Sequence, residues 1–329
     1  MRWVRATGSL AGLLLLGGCT SLGPLVGAPA PAPSPPAGQQ SGQQPGPTAP
    51  AGTGSPTVSN RPSSPGPTAQ APTPHGPVTL GPASPLPASP SADAQRLRTE
   101  FAGFSATQSG RVGLAVAPVG SGGGVAVGEV ASGVAWSTSK VPLAIAVTNR
   151  SPGAHTAAIQ RAITASDNAA AEQLWASLGT PTEAAAATGR VISDLGGGRV
   201  QVQSQVTRPG FTAFGQTEWS LAEQAEFAAR LPCRPEAAQV YALMGRTDSN
   251  QAWGVAGLPG AHLKGGWGPG VRGGYLVRQM AVIDTPRGRV AVAMAAEPAS
   301  GAYADGSRML TRLGQWLREH PDLLPAGRC

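Results

Sequence analysis

Lysine occurs twice in this chain of 329 residues, at positions 140 and 264, beside 22 arginines. A chain that otherwise writes arginine for a surface cation has kept an amine where a guanidinium would not serve. Arginine stays protonated at any ordinary pH, whereas a buried lysine can lose its proton and act as a base. Lys140 closes the run Trp136-Ser137-Thr138-Ser139-Lys140, three residues after Ser137. Residues i and i+3 share a helix face, so the amine is expected to reach the Ser137 hydroxyl. A serine hydroxyl becomes a competent nucleophile once an adjacent base takes its proton. The residues after Lys140 are apolar on every side, which predicts a buried helix with Pro142 in its first turn. Ser137 then stands at a helix N-terminus, where backbone N–H groups favour developing negative charge. As a bare pattern Ser-x-x-Lys also fits a serine that only caps a core helix.

Two further stretches carry polar side chains that could meet this pair. Ser166-Asp167-Asn168 interrupts two alanine-rich helical stretches, 154–165 and 169–178. Lys264-Gly265-Gly266-Trp267 holds the second lysine. For Ser166, capping the following helix is compatible with a chemical role.

The elements that must bring these stretches together are readable in outline. Residues 93–104 form an amphipathic pattern. The runs 111–119 and 125–130 alternate apolar and small residues around Gly120-Ser121-Gly122-Gly123-Gly124, a hairpin signal. After the helical block, a short helix is predicted at 181–187, a turn at Gly196-Gly197-Gly198 and an irregular stretch at 199–215. Ser220 with Glu223 is a capping-box signal for a helix over 221–231. A helix at 237–244, strands at 275–283 and 289–295 around a turn at 285–288, and a helix at 307–319 complete the chain. Strands, a helical block, more strands and a closing helix fit an antiparallel sheet with helices on both faces and an all-helical subdomain.

Ser137-x-x-Lys140, Ser166-Asp167-Asn168 and Lys264-Gly265-Gly266, in that order, resemble the three motifs of the active-site serine β-lactamase and penicillin-binding protein superfamily, the class A β-lactamases in particular. The resemblance covers 93–329 and extends to the strand Tyr275-Leu276-Val277-Arg278-Gln279-Met280-Ala281-Val282-Ile283. It implies the α/β sandwich of the β-lactamase/transpeptidase type. Ser137 would be the acylated nucleophile and Lys140 its base or proton relay. Ser166 would pass a proton to the leaving nitrogen. Lys264 would hold Ser166 and attract a substrate carboxylate. Asn168 would bond a substrate amide, and the N–H groups of Ser137 and Trp267, beside the small Gly266, would form the oxyanion hole. Two departures stand out. Gly265 occupies a position where the family has Ser or Thr. Between 207 and 218 no Glu-x-x-Leu-Asn pattern appears, and the carboxylate there, Glu218, sits where it would stabilise the following helix. Acylation is supported; rapid deacylation is not.

Other chemistries find little support. Gly268-Pro269-Gly270-Val271-Arg272-Gly273 has dinucleotide-loop spacing, but a strand is expected after it rather than a helix. The histidines are isolated, with His262 expected to be structural, and no Gly-x-Ser-x-Gly occurs, which disfavours a Ser-His-Asp hydrolase. No metal-ligand spacing and no cofactor motif is present. The net charge of +7 is scattered, with no basic run carrying interleaved aromatics, so nucleic acid is not an expected partner.

The N-terminus sets the expected location. Arg2 and Arg5 precede a short apolar run that ends in Leu16-Gly17-Gly18-Cys19. A basic start, an apolar segment too short to span a bilayer and small residues describe a secretory leader over 1–18. The last four residues resemble a bacterial lipobox, which implies acylation of Cys19 and anchoring at the extracytoplasmic face of the cell membrane. Residues 19–92 hold 20 of the 33 prolines with Ala, Gly, Ser, Gln and Thr, and are expected to form a disordered tether. The remaining cysteines, Cys233 and Cys329, are expected to pair in an oxidising compartment, with two free thiols as the alternative.

The sequence therefore predicts a lipid-anchored serine hydrolase forming an acyl-enzyme on a peptidoglycan-type peptide, amide or β-lactam. A true β-lactamase and an inactive cell-wall-binding module of the same fold are the alternatives.

Overall fold

A computed structural model of the protein describes residues 91–329. The leader, Cys19 and nearly all of the tether fall outside the described residues. Residues 91 and 92 belong already to the folded part. Ser91 caps helix α1 (Ala92–Ala106) by accepting a hydrogen bond from Ala94 N–H.

Strands β1 (Gly110–Pro118) and β2 (Val125–Gly128) form the hairpin expected from the glycine-rich turn. They join β5 (His262–Pro269), β6 (Tyr275–Thr285) and β7 (Gly288–Pro298) in an antiparallel sheet of order β2-β1-β7-β6-β5. The period-2 alternation of the strands divides the interior in two. Val112, Leu114 and Val116 of β1 face α1 and the closing helix α8 (Tyr303–Glu319), whose Leu310, Leu313 and Leu317 pack on that side. Ala115 and Ala117 of β1, with Ala291, Ala293 and Ala295 of β7, face the other way. Alanines there let helix α6 (Leu221–Arg230) lie close on the sheet through Ala225 and Ala228. Helices on both faces of an antiparallel sheet are what the sequence implied.

The helical subdomain comprises α2 (Lys140–Arg150), α3 (Thr156–Thr164), α4 (Asn168–Ser177), α5 (Pro181–Asp194) and α7 (Ala238–Met244). Helix α5 runs seven residues past its expected end. Thr180 and Glu183 close a full capping box at its start, and burial of Val191 and Ile192 carries it past Gly189. Helix α8 begins at Tyr303, four residues before the sequence suggested.

Two three-residue strands, β3 (Ser132–Val134) and β4 (Glu218–Ser220), pair with each other. Glu218 is thus in a strand, accepting from Ser132 Oγ at 2.7 Å, rather than in the first turn of α6. The capping residue of α6 is Ser220, as the motif with Glu223 predicted. Cys233 and Cys329 form a disulfide. Among the described residues no helix is long and apolar enough to cross a membrane, and no cluster of His, Cys, Asp or Glu could hold a metal ion.

Candidate active site

The chain leaves β3 into a single 3-10 turn, Trp136–Ser139, and passes directly into α2 at Lys140. A 3-10 turn has three residues per turn, so Ser137 and Lys140 are eclipsed on one side of the element. Trp136 enters the turn with φ 48°, a left-handed conformation that a bulky residue adopts only when its surroundings impose it. The surroundings are the edge strand β5. A Cβ on Gly268 would lie 2.6 Å from the Trp136 ring, and one on Gly266 would lie 2.9–3.1 Å from Ala135 O, Ser137 N and Thr138 N. Glycine at both positions lets β5 close on the turn that carries Ser137.

The two ammonium groups, 124 positions apart in sequence, converge on one hydroxyl. Lys264 Nζ donates to Ser166 Oγ at 2.8 Å, to Gln251 Oε1 at 2.6 Å and to Gly265 O at 2.9 Å. Lys140 Nζ donates to Ser166 O at 2.6 Å and Asn168 Oδ1 at 2.7 Å, and lies 3.4 Å from Ser166 Oγ. Ser166 sits at φ 58°, so both its carbonyl and its hydroxyl can face the lysines. It is Asp167, not Ser166, that caps α4, by accepting from Ala170 N–H.

The expected contact between Lys140 and the Ser137 hydroxyl is not made: among the described residues nothing hydrogen-bonds to Ser137 Oγ. Eclipsed placement puts the amine beside the serine, but Ser166 O and Asn168 Oδ1 draw it toward α4.

Both lysines are almost wholly removed from solvent, Lys140 at 1% and Lys264 at 0% exposure. Burial pushes the Lys140 ammonium down to about 7, against the opposing pull of the Asp167 and Glu172 carboxylates. Burial, and then the charge of Lys140, hold Lys264 well below its ordinary value. The arrangement therefore contains one amine, Lys140, that can exchange protons near neutrality, linked through a serine hydroxyl to a second whose ammonium form burial disfavours.

Ser137 lines a cavity of about 50 Å³ with Trp136, Asn168, Phe211, Thr212 and Trp267. Gly266 lies behind it, against the serine turn. Larger hollows of about 580 Å³ beside β2 and about 500 Å³ along 199–204 hold neither lysine. Chemistry, not size, singles out the Ser137 cleft.

Three contributors carried no signal in the sequence. Gln251 Oε1 accepts from both Lys264 Nζ and Gly265 N. The Trp253 ring fills the place a side chain at 265 would need, 2.7 Å from its Cβ position, so glycine there is a packing requirement. Gln216 shapes the loop over the cleft: its Oε1 accepts from Thr207 and Arg208 N–H, and its Nε2 donates to Phe211 O and Thr212 O. That loop lays the Phe211 ring 5.0 Å from the Trp136 ring. No carboxylate hydrogen-bonds to Ser137 or Lys140 among the described residues.

No protein-family model matches the chain, and no curated protein matches it. Solved structures do. A β-lactamase from Xanthomonas campestris pv. campestris aligns at TM-score 0.54 and 18% identity, over 69% of this chain and 98% of that one. The class A β-lactamase from Mycobacterium abscessus aligns at TM-score 0.52 and 19% identity, over 68% and 99%. A mutant of the class A β-lactamase of the last common ancestor of Gram-negative bacteria aligns at TM-score 0.52 and 21% identity, over 69% and 98%. The chain has the class A β-lactamase-like fold.

Proposed function

We propose that the protein is a serine hydrolase that works by acyl transfer through Ser137. The observation that carries this reading is the convergence of Lys140, Lys264 and Ser166 in a buried polar knot beside a serine that opens on a cavity. In the acylation step Ser137 Oγ bonds to the acyl carbon of an amide, ester or β-lactam, and the bond from that carbon to the leaving group breaks. The serine proton passes to the neutral Lys140 amine, and Ser166 delivers a proton to the leaving group, being reprotonated from the lysines. The N–H groups of Ser137 and Trp267 would hold the oxyanion, a reading supported by the close approach of Gly266 to Ser137 N. Asn168, with Oδ1 held by Lys140, presents its amide nitrogen to a substrate carbonyl. Water then attacks the ester, releasing the acid and restoring the serine. With no carboxylate bonded to Ser137 or Lys140 to activate that water, the acyl-enzyme is long-lived.

Intact-protein mass spectrometry after exposure to a fluorescent penicillin and to a p-nitrophenyl ester tests the reading. A stable adduct of the acyl mass, lost in Ser137→Ala, is expected. Rapid turnover of a chromogenic cephalosporin would instead identify a β-lactamase, and no adduct with either reagent would leave a binding module.

The leader and Cys19 support placement on the outer face of the cell membrane, where cell-wall peptides and β-lactams are the accessible donors. Labelling with a palmitate analogue should mark the chain and fail in Cys19→Ala.

A further inference from the structure

The chain has fifteen aromatic residues, and five of them gather at one place. Trp136, Phe211 and Trp267 all line the Ser137 cavity, with the Trp136 and Phe211 rings 5.0 Å apart. From Trp267 the apolar surface continues outward through Tyr303, 5.2 Å away between ring centroids, to Tyr275, 6.1 Å further on. Phe211 and Tyr275 are two of the four large apolar side chains exposed among the described residues, at 37% and 39%.

The charge available to a ligand here is as distinctive as the aromatic surface. No ionisable side chain lines the cavity. The two lysine ammonium groups are buried and directed at protein oxygens: Lys264 at three and Lys140 at two at close range. Arg208 lies 5.8 Å over the Trp136 ring and donates to Pro269 O. Gly265 brings no hydroxyl, and the Trp253 ring occupies the space where one would stand. A carboxylate entering the cleft would lose its water against indole and phenyl surface, with no cation among the residues lining the cavity and the nearby Arg208 guanidinium already donating to Pro269 O. A flat or aliphatic group would be favoured by the same surface.

We propose that the Ser137 cleft selects uncharged acyl donors, with an aromatic or short aliphatic acyl group against Trp136, Phe211 and Trp267, and discriminates against donors bearing a carboxylate beside the scissile bond. This rests on the acyl-transfer reading of Ser137 and narrows its substrate class to esters and amides without that carboxylate, so the p-nitrophenyl ester is expected to acylate Ser137 faster than the penicillin does. The chemistry stays balanced: acyl carbon to Ser137 Oγ, proton to the leaving alkoxide or amine, then water to release the neutral donor's acid.

The test compares matched p-nitrophenyl esters, phenylacetate and butyrate against the hemisuccinate, on the full chain and on Phe211→Lys and Arg208→Ala. The expected result is a kcat/KM at least tenfold higher for the uncharged esters. In Phe211→Lys that preference should shrink at least tenfold, because a cation then borders the cavity. Arg208→Ala should leave the preference in place. Equal or better use of the hemisuccinate by the unaltered protein would overturn the proposal while sparing the role of Ser137, the more so if Arg208→Ala removed that activity. No Ser137-dependent release of nitrophenol from any ester would overturn both.

Discussion

If Ser137 is acylated as proposed, position 140 needs an amine that can be neutral, and this is where a charge-preserving substitution should do most harm. Lys140→Arg keeps the positive charge but cannot release its proton in the working range. It should lower the acylation rate of Ser137 by at least about 100-fold, the scale of a lost general base, while leaving the fold intact by circular dichroism. The pH profile gives the sign. With Lys140 near 7, its free-base fraction falls tenfold per unit below that value. Log kcat/KM for acylation should therefore climb with unit slope up to about pH 7 and level off above it. A profile flat from pH 5 to 9, or near-normal acylation in Lys140→Arg, would mean that deprotonation of Lys140 is not the step the site depends on. That the two lysines gather at Ser166 was legible because lysine is so rare here that each one marks a position. The direction of the Lys140 amine was not legible. It depends on Ser166 O and Asn168 Oδ1, acceptors that only the left-handed backbone at Ser166 brings within reach.

At the scale of elements, the turn that presents Ser137 is held from below by a cation that takes no part in the chemistry. Arg278 of β6 is fully buried, and among the described residues no carboxylate is hydrogen-bonded to it. Its guanidinium donates to Gly133 O, Val134 O, Trp219 O and Gln224 Oε1, linking the β3–β4 pair to α6. Gln224 Nε2 then donates to Thr138 Oγ1, which donates to Ala135 O inside the nucleophile turn. Burial lowers the Arg278 pKa to about 10, so the group remains charged at neutral pH. Arg278→Met would strand these acceptors in the interior. It should lower unfolding free energy in urea by about 3 kcal/mol or more, as expected for hydrogen bonds to a buried charge; a change below about 1 kcal/mol would show that the network is dispensable. Nothing in the chain's pattern signals this network, since Arg278 stands among apolar strand residues and its partners lie on β3, β4 and α6. The strands β3 and β4 were equally invisible, as three residues are too few to display a period of two. Long elements with a repeating face, β1, α4, α6 and β6, were placed to within one or two residues. Their hydrophobic period is set by the same burial that forms them.

Across the whole described molecule, the C-terminus is tied back to the sheet and to the end of α6. Beyond α8 the chain returns along β7, where Arg289 and Gly327 exchange both backbone hydrogen bonds at 2.9 Å. It ends in the disulfide from Cys329 to Cys233, in the 3-10 turn that follows α6. The cysteine count made this pairing readable in outline; that it fastens the end of α6, the helix bearing Gln224, was not. The bridge closes a loop spanning 96 positions. Cross-links of that span restrict the unfolded chain, with typical contributions of about 2–4 kcal/mol. For a folded part of this size the pair Cys233→Ser and Cys329→Ser should lower Tm by on the order of 5–15 °C. Ser137 acylation should survive at temperatures below the new transition, because Gln224 is held by Arg278 as well as by its helix. A double variant that melts with the unaltered protein would show that the bridge adds no stability. One that stays folded yet loses acylation would place the bridge within the machinery that positions Ser137.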